Sequence, residues 1–373
     1  MIVGFDLRSI PSGHPGAGVA HAAIHMARAM EKSIPSSCQI RAYALEGATV
    51  PIASECIRLS SGRRSKLVAA LREHPCDILF CFSGAVPLFL PVPAIPWVHD
   101  LDIFEHPEWF PQSRWKRLLT TNIFLRGLRK APIVCASTEY AKQQVFDIAK
   151  ISPDRVIVTG EGGDEFGSAM DWEDLVDARR SARAELASSL KMTRPFVLLF
   201  GTFEPRKNAP FILSCWADII RQLPGIDLVI AGRDGWKMES LSKALAWTQT
   251  TCKEMDTRII RLPDVSDVLR MDLLRGAMLL VTPSFSEGFG LAPLEAIQNG
   301  TPAFVSDRGA LPEVFGPGEW VLPLKREVWI QAIVRGMSDA LFRGNIFEAQ
   351  RELCERWSWA KSAEAAWRAI GSR

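Results

Sequence analysis

The chain has no C-x-x-C pair. Its eight cysteines, at 38, 56, 76, 81, 135, 215, 252 and 354, stand apart, and none falls at metal-ligand spacing with the six histidines. A paired redox motif and a zinc-finger framework are thereby excluded, and cysteines inside apolar runs, such as Cys81 and Cys135, read as small hydrophobes. No stretch approaches the ~20 apolar residues that a bilayer-crossing helix needs. The first seven residues, MIVGFDL, form a strand-like run entering a polar loop and lack a signal-peptide h-region, so the cytosol is the expected compartment. Charge of one sign is scarce as well: 44 Lys and Arg against 42 Asp and Glu give a formal +2, with no global drive toward nucleic acid. No repeat at a solenoid period is evident.

What is present is an ordinary globular composition, 47% hydrophobic and 23% charged, on a chain longer than one hydrophobic core usually serves, since cores stop growing near ~250 to 300 residues. Short apolar runs alternate with longer helical patterns from end to end, the mark of an α/β protein with mostly parallel sheets. The runs fall at 2–7, 40–45, 78–82, 95–98, 133–136 and 156–158, and again at 196–200, 227–231, 258–262, 277–281, 302–305 and 320–322. About six strands per half are expected, in two Rossmann-like domains facing across a cleft. Glycines cluster at 160–164 and hydrophobic periodicity lapses over 170–177, which marks the hinge. The expected division is 1–165 for the first domain and 166–353 for the second. A closing helix within 354–373 is expected to cross back to the first domain.

Ligands of open α/β sheets bind beyond the carboxyl ends of the strands, so the residues just after each run carry the functional reading. After 277–281 comes Glu287-Gly-Phe-Gly-Leu-Ala-Pro-Leu-Glu295. Gly288 and Gly290, on either side of Phe289, admit a close backbone approach. Pro293 fits a first helical turn, whose free N–H groups can receive an anion. Glu295 lies one turn in, where a carboxylate can accept from vicinal hydroxyls such as those of a ribose. The bland alternative is a dipole-pairing Glu and a tight loop. After 196–200 comes Gly201-Thr-Phe-Glu-Pro-Arg206-Lys207-Asn208, whose adjacent cations suit a diphosphate or form a solvated basic turn. Both loops follow strands of one sheet and open on one edge. After 95–98 comes His99-Asp100, either a site facing the cleft or a cap on the next segment. After 2–7 comes Gly13-His-Pro-Gly16-Ala-Gly18, a phosphate or sugar contact or a flexible turn. Its order is not the dinucleotide fingerprint, which disfavours a nicotinamide dehydrogenase.

Taken together, Glu-Pro-Arg206-Lys207-Asn208, Pro283-Ser284-x-x-Glu287-Gly-Phe-Gly-Leu-x-Pro-x-Glu295-Ala, Gly300-Thr-Pro-Ala-Phe-Val-Ser306 and Leu311-Pro-Glu313 resemble the retaining GT-B glycosyltransferases of family GT4. Val98-His-Asp-Leu with His106-Pro-Glu-Trp-Phe110 resembles, within that family, bacterial mannosyltransferases of surface-polysaccharide assembly. The resemblance implies a GT-B fold and a hexose, read as mannose, moved from a nucleotide-sugar donor, read as GDP-mannose, to a saccharide or lipid-linked saccharide acceptor. It implies that Arg206 and Lys207 neutralise the departing diphosphate, that the 288–290 amides bind it, that Glu295 takes the ribose and Glu287 the transferred sugar. His99, with Asp100 beside it, would touch that sugar, Gly16 or Gly18 would border donor or acceptor, and the base would rest against Leu262, Pro263 and Val265. No cofactor and no bound metal are implied, because the two cations can perform the electrostatic task. The sequence departs from the usual family text at Gly160-Glu-Gly-Gly-Asp164, where Pro-Asn-Gly-Val is commoner. A sugar-nucleotide epimerase and a non-catalytic sugar-nucleotide-binding subunit are the competing readings.

Residues 109–130 mix aromatic and aliphatic side chains with cations. They read either as a helix packed on the sheet or as one lying at the inner face of an anionic membrane, bringing the enzyme to a lipid-linked acceptor.

Overall fold

The computed structural model describes residues 1–12, 18–50, 52–111, 114–163 and 172–372, apart from the side chains of 114–120 and 172. Two compact units emerge. The first comprises Met1–Pro107, Gln112–Glu165 and Trp357–Arg373, the second Glu108–Pro111 and Phe166–Arg356.

Among the described residues the first unit holds seven strands, β1 (Ile2–Asp6), β2 (Gln39–Leu45), β3 (Glu55–Leu59), β4 (Ile78–Cys81), β5 (Ala94–Val98), β6 (Val134–Ala136) and β7 (Val156–Val158). They form one parallel sheet in the order β3-β2-β1-β4-β5-β6-β7. Every residue of β4 and β5 is buried, as expected where helices cover both faces of a parallel sheet and the strand must be apolar throughout. The sequence expectation of about six strands lacks β3, for a physical reason. At the sheet edge only Leu59 of Glu-Cys-Ile-Arg-Leu is buried, so no apolar run announces the strand. The closing helix Trp359–Gly371 belongs to this unit. Its Trp367 Nε1 donates to Met30 O at 3.0 Å, and the Trp359 ring lies over His25 and edge-on to Trp97.

Among the described residues the second unit holds six strands, β8 (Phe196–Phe200), β9 (Asp227–Ala231), β10 (Ile259–Leu262), β11 (Leu279–Thr282), β12 (Ala303–Ser306) and β13 (Val321–Leu322). These pair in parallel in the order β10-β9-β8-β11-β12-β13. The helix Ala209–Gln222 that follows β8 buries Ile212, Leu213, Trp216, Ile219 and Ile220, the spacing of one helical face.

Three expectations need correction. The stretch 160–163 is not slack: Gly160 and Glu161 are buried, and a Cβ on Gly160 would meet the Trp357 ring at 3.1 Å. Residues 164–171 of the expected hinge lie outside the described residues, but from Trp172 to Leu190 the chain is helical. There the acidic residues Glu173 and Asp174 suit the positive end of the helix dipole. Segment 109–130 is likewise not one helix. Pro107–Trp109 is a single 3-10 turn, residues 108–111 join the second unit, and the helix runs Arg114–Lys130. Its Leu128 is buried, and Phe124 and Leu125 pack against the same core cluster, so the carboxyl half lies on the sheet. The side chains of Arg114, Lys116 and Arg117 lie outside the described residues. No helix among the described residues is long and apolar enough to cross a membrane.

Candidate active site

In a parallel sheet whose strand order reverses, the crossovers on either side go to opposite faces and leave a crevice at the carboxyl ends of the two central strands. In the second unit those strands are β8 and β11, hydrogen-bonded neighbours. The loops that leave them are the two singled out in the sequence.

The chain leaves β8 through Gly201, whose φ of +142° is open only to glycine, and reaches the 3-10 turn Pro205–Lys207. Asn208 follows in the left-handed conformation, φ 51°, and its Nδ2 donates to Pro283 O at 3.0 Å. Phe285 N donates to Arg206 O at 2.7 Å. With these two bonds the loops fix each other. Across them Lys207 Nζ donates to both carboxyl oxygens of Glu287, each at 2.7 Å, and Ser284 Oγ donates to Oε1 at 2.7 Å. Burial alone would push the Glu287 carboxyl up. The Lys207 and Arg206 charges, with the Lys207 and Ser284 hydrogen bonds, outweigh it and hold the group below its ordinary 4.5. The result is a buried, ionised carboxylate facing a cation. Arg206 itself donates through Nε to Glu204 while its charge still acts on Glu287.

A cavity opens here, lined among others by Gly201, Thr202, Lys207, Ser284, Glu287 and residues 290–293. Gly290 has φ +98° and precedes the helix Leu291–Gln298, so first-turn N–H groups end at the cavity, as an anion site requires. Phe289 is buried. The sequence reading places Lys207, Glu287 and Gly290 at one site, and all three line this cavity, whereas Arg206, Gly288 and Phe289 do not. It missed Ser284 as a partner of Glu287, and it missed Gly309. At Gly309, φ +58°, a Cβ would lie 2.6 Å from Glu287 N, and the adjacent Ala310 N donates to Glu287 O at 3.0 Å.

Glu295 sits elsewhere: buried one turn into its helix, it accepts from Arg270 Nη1 at 2.9 Å and does not line the cavity. Leu262, Pro263 and Val265 follow β10 and do not line it either. The Leu262 carbonyl accepts from Gly232 N at 2.9 Å. Beside the Glu287 loop, the half-exposed Phe285 ring stacks on Trp109 at 6.0 Å and 16°. Trp236 Nε1 donates to Trp109 O at 2.6 Å, and Lys237 Nζ donates to Glu108 O. Glu108 and Trp109, from the first half of the chain, are therefore held beside the acidic loop.

In the first unit, His99 follows β5 with both ring nitrogens engaged. Nδ1 lies 2.7 Å from Glu161 Oε1 and Nε2 lies 2.9 Å from Phe82 O. A carbonyl only accepts, so Nε2 donates, and a proton on Nδ1 completes an imidazolium facing Glu161. Burial would lower the His99 pKa, but the Glu161 charge and hydrogen bond, with the Phe82 carbonyl and Asp100, raise it above 6.5. Asp100 Oδ1 accepts from Asp102 N at 3.3 Å, the capping role weighed in the sequence. Glu161 was read only as part of a hinge, although it too follows a strand. Gly18, φ +41°, precedes the helix Val19–Lys32, and Gly16 lies outside the described residues. No group of three or more His, Cys, Asp or Glu side chains able to hold a metal lies together among the described residues.

The His99–Glu161 pair gives a pH prediction. A folded pKa raised above the unfolded value contributes stability that is complete below about 6.5 and is lost as pH rises through the folded value. Each unit of elevation corresponds to ~1.4 kcal/mol. The melting temperature is expected to fall on that alkaline limb in the native chain and to fall less in Glu161→Gln, as differential scanning fluorimetry across the range would register. An identical slope in both would remove the ion pair.

Comparison with known proteins gives the following. Residues 182–357 match the family described as Glycosyl transferases group 1. O-antigen chain mannosyltransferase B of Escherichia coli is 26% identical over 267 residues, 71% of this chain and 66% of that protein. Serotype-specific mannosyltransferase WbdA of Escherichia coli is 24% identical over 231 residues, 60% of this chain and 27% of that protein. The chain thus spans just under two thirds of the first relative and about a quarter of the second. The crystal structure of Anabaena Alr3699/HepE in complex with UDP and glucose superposes with a TM-score of 0.72 at 17% identity, covering 100% of this chain and 99% of that one. At that identity the likeness is one of fold.

Proposed function

We propose that this chain, whose residues 182–357 match the Glycosyl transferases group 1 family, transfers a hexose with retention from a nucleoside diphosphate donor to a saccharide or lipid-linked saccharide acceptor. Mannose is the proposed sugar, supported by the two relatives named as mannosyltransferases, and GDP-mannose is the proposed donor on the sequence resemblance alone. The observation that carries the reading is Lys207 facing Glu287 at the mouth of the β8/β11 crevice, with Arg206 acting on the same carboxylate.

Glycosyl transfer builds negative charge on the leaving diphosphate while the sugar becomes oxocarbenium-like, and fixed positive charge at the diphosphate lowers that barrier most. In this reading Arg206, Lys207 and the amides at the start of the helix Leu291–Gln298 receive the diphosphate. Glu287 accepts from hydroxyls of the transferred sugar, and His99 with Asp100 approaches the sugar or acceptor. Glu295 holds the ribose, in exchange for part of its bond to Arg270. Leu262, Pro263 and Val265 support the base, and Gly16 and Gly18 border donor or acceptor. The proposed substitution occurs on one face: the anomeric C–O bond to phosphate breaks, and the departing phosphate oxygen takes the acceptor's proton as the new glycosidic bond forms. Glu287 is committed to Lys207 and Ser284, a poor state for a nucleophile, so no covalent sugar adduct is expected by mass spectrometry. The proposal uses no resident metal, and transfer is expected to survive EDTA. Cytosolic placement at the inner face of a membrane goes with a lipid-linked acceptor.

The test is a thermal-shift screen of GDP-, UDP- and ADP-sugars. Binding to the folded state alone adds ~2.7 kcal/mol at a hundredfold excess over Kd, so GDP-mannose is expected to raise the melting temperature most. A larger shift with another nucleotide sugar would replace the donor. Nucleotide released only when acceptor is present separates a transferase from an epimerase or a silent binding subunit.

A further inference from the structure

At the opposite edge of the second sheet, before β11 and β12 begin, three arginines gather. Arg179 and Arg183 stand four apart on the helix Trp172–Leu190, hence on one face. Arg183 Nε donates to Gly276 O at 3.0 Å. Arg179 Nη2 donates to the next carbonyl, Ala277 O, at 2.8 Å, and its Nη1 to Gly300 O at 2.5 Å and Thr301 Oγ1 at 2.6 Å. Arg343 arrives on another helix, Ala340–Cys354, and its Nη1 donates to Gly336 O at 2.8 Å. Gly336 in turn packs on Leu279, two residues past Ala277: a Cβ there would meet Leu279 Cδ1 at 2.8 Å.

The three charges act on one another. Burial and the Arg183 and Arg343 guanidiniums bring Arg179 down to about 10, and Arg343 also lies in the field of Arg183. Among the described residues none of the three forms an ion pair, whereas neighbouring Arg180 pairs with Asp177 at 3.0 Å. Among the described residues the one acid that acts on the group is Asp339, on Arg343. Among the described residues every acceptor the three engage is a carbonyl or hydroxyl oxygen; the carbonyls lie at the carboxyl ends of helices, whose dipoles offset part of the charge without supplying a full counter-ion. Arg183 is exposed, with Arg179 and Arg343 half-buried behind it. Among the described residues Arg183 engages a partner through Nε alone, which leaves both terminal nitrogens of its fork without a partner among them. A guanidinium fork matches the oxygens of a phosphate bidentately, and like charges in a partly desolvated setting gain most from a bound counter-charge.

We infer that Arg179, Arg183 and Arg343 form a second anion site, at the sheet edge opposite the sugar-nucleotide cavity, that takes a phosphate group, free or as a lipid headgroup. The inference is independent of the transfer reaction. Inorganic phosphate, titrated against chloride at matched ionic strength, is expected to raise the melting temperature of the native chain and equally that of Lys207→Ala, in which the crevice is impaired. In Arg183→Gln the apparent phosphate affinity is expected to fall about tenfold or more, the worth of one charge-assisted bidentate contact, with sugar transfer unchanged. In phosphate-free buffer Arg183→Gln is expected to be as stable as the native chain or more so, because one of three repelling charges is gone. Flotation with phosphatidylcholine vesicles with and without phosphatidic acid distinguishes the source: acid-dependent binding lost in Arg183→Gln and Arg343→Gln assigns the headgroup. No phosphate shift together with no vesicle binding would overturn the site. So would a shift that vanishes in Lys207→Ala and persists in Arg183→Gln, or a variant that only loses stability, as carbonyl capping alone would have it.

Discussion

Lys207→Ala and Arg206→Ala are each expected to lower transfer by ~10² to 10³, the usual loss when one preorganised donor to developing charge is removed. The two should differ in stability. Among the described residues Lys207 Nζ gives both its hydrogen bonds to Glu287, and its removal leaves a carboxylate that is 7% exposed with Ser284 and the Arg206 charge. Orphaning such a group costs about 1–3 kcal/mol. The sign of the pH dependence follows from the depressed Glu287 pKa. Stability from that pair is present above about 4.5 and is lost as pH falls through the folded value. The native chain should therefore outlast Lys207→Ala above about 4.5, and the gap should close in acid. Arg206→Ala should show the kinetic defect with a smaller stability change. Steady-state rates beside chemical denaturation at two pH values decide this. A Lys207→Ala enzyme within severalfold of native turnover would remove the diphosphate role.

Gly232→Ala is expected to be the most damaging single methyl in the second unit. Gly232 has φ +120°, and a Cβ there would lie 2.1 Å from Gly201 O and 2.9 Å from Gly201 C. The obstruction is backbone and has no rotamer to yield. Gly201 N meanwhile donates to Ala231 O at 3.1 Å, and Gly232 N to Leu262 O at 2.9 Å, so the ends of β8, β9 and β10 would have to part together. The loss should exceed the ~0.5–3 kcal/mol typical of single substitutions and appear as low soluble yield or a sharply reduced denaturation midpoint. Gly201→Ala makes the contrast: its φ of +142° implies strain of about 1–3 kcal/mol, but its Cβ would meet nothing within 4 Å. It lines the cavity, so weakened donor binding on a folded protein is expected. Equal behaviour of the two variants would contradict the crossing.

Every strand except β3 was legible, because a parallel strand covered on both faces must be apolar along its length and only an edge strand escapes that demand. Arg206, Lys207 and Glu287 were legible because they lie immediately after such strands and beside glycine or proline. What the sequence hid were partnerships between distant positions. His99 and Glu161 are 62 residues apart, and Arg270 meets Glu295 from a different helix. The Gly309 contact with Glu287 depends on two loops meeting at their backbones. Proximity in space has no local periodicity to announce it. Glu161 was the nearest to being found, since the strand-end rule that selected His99 selects it too.

Residues 108–111 have a consequence for anyone dividing the polypeptide. The chain passes from one unit to the other after 107, 111, 165 and 356. Scission at 165 would therefore leave an amino-terminal product without the helix that carries Trp367 and a carboxy-terminal product without Trp109. Neither product would be a whole domain, and a fragment meant to report on either unit in isolation would need its missing piece spliced back by circular permutation or supplied as a peptide.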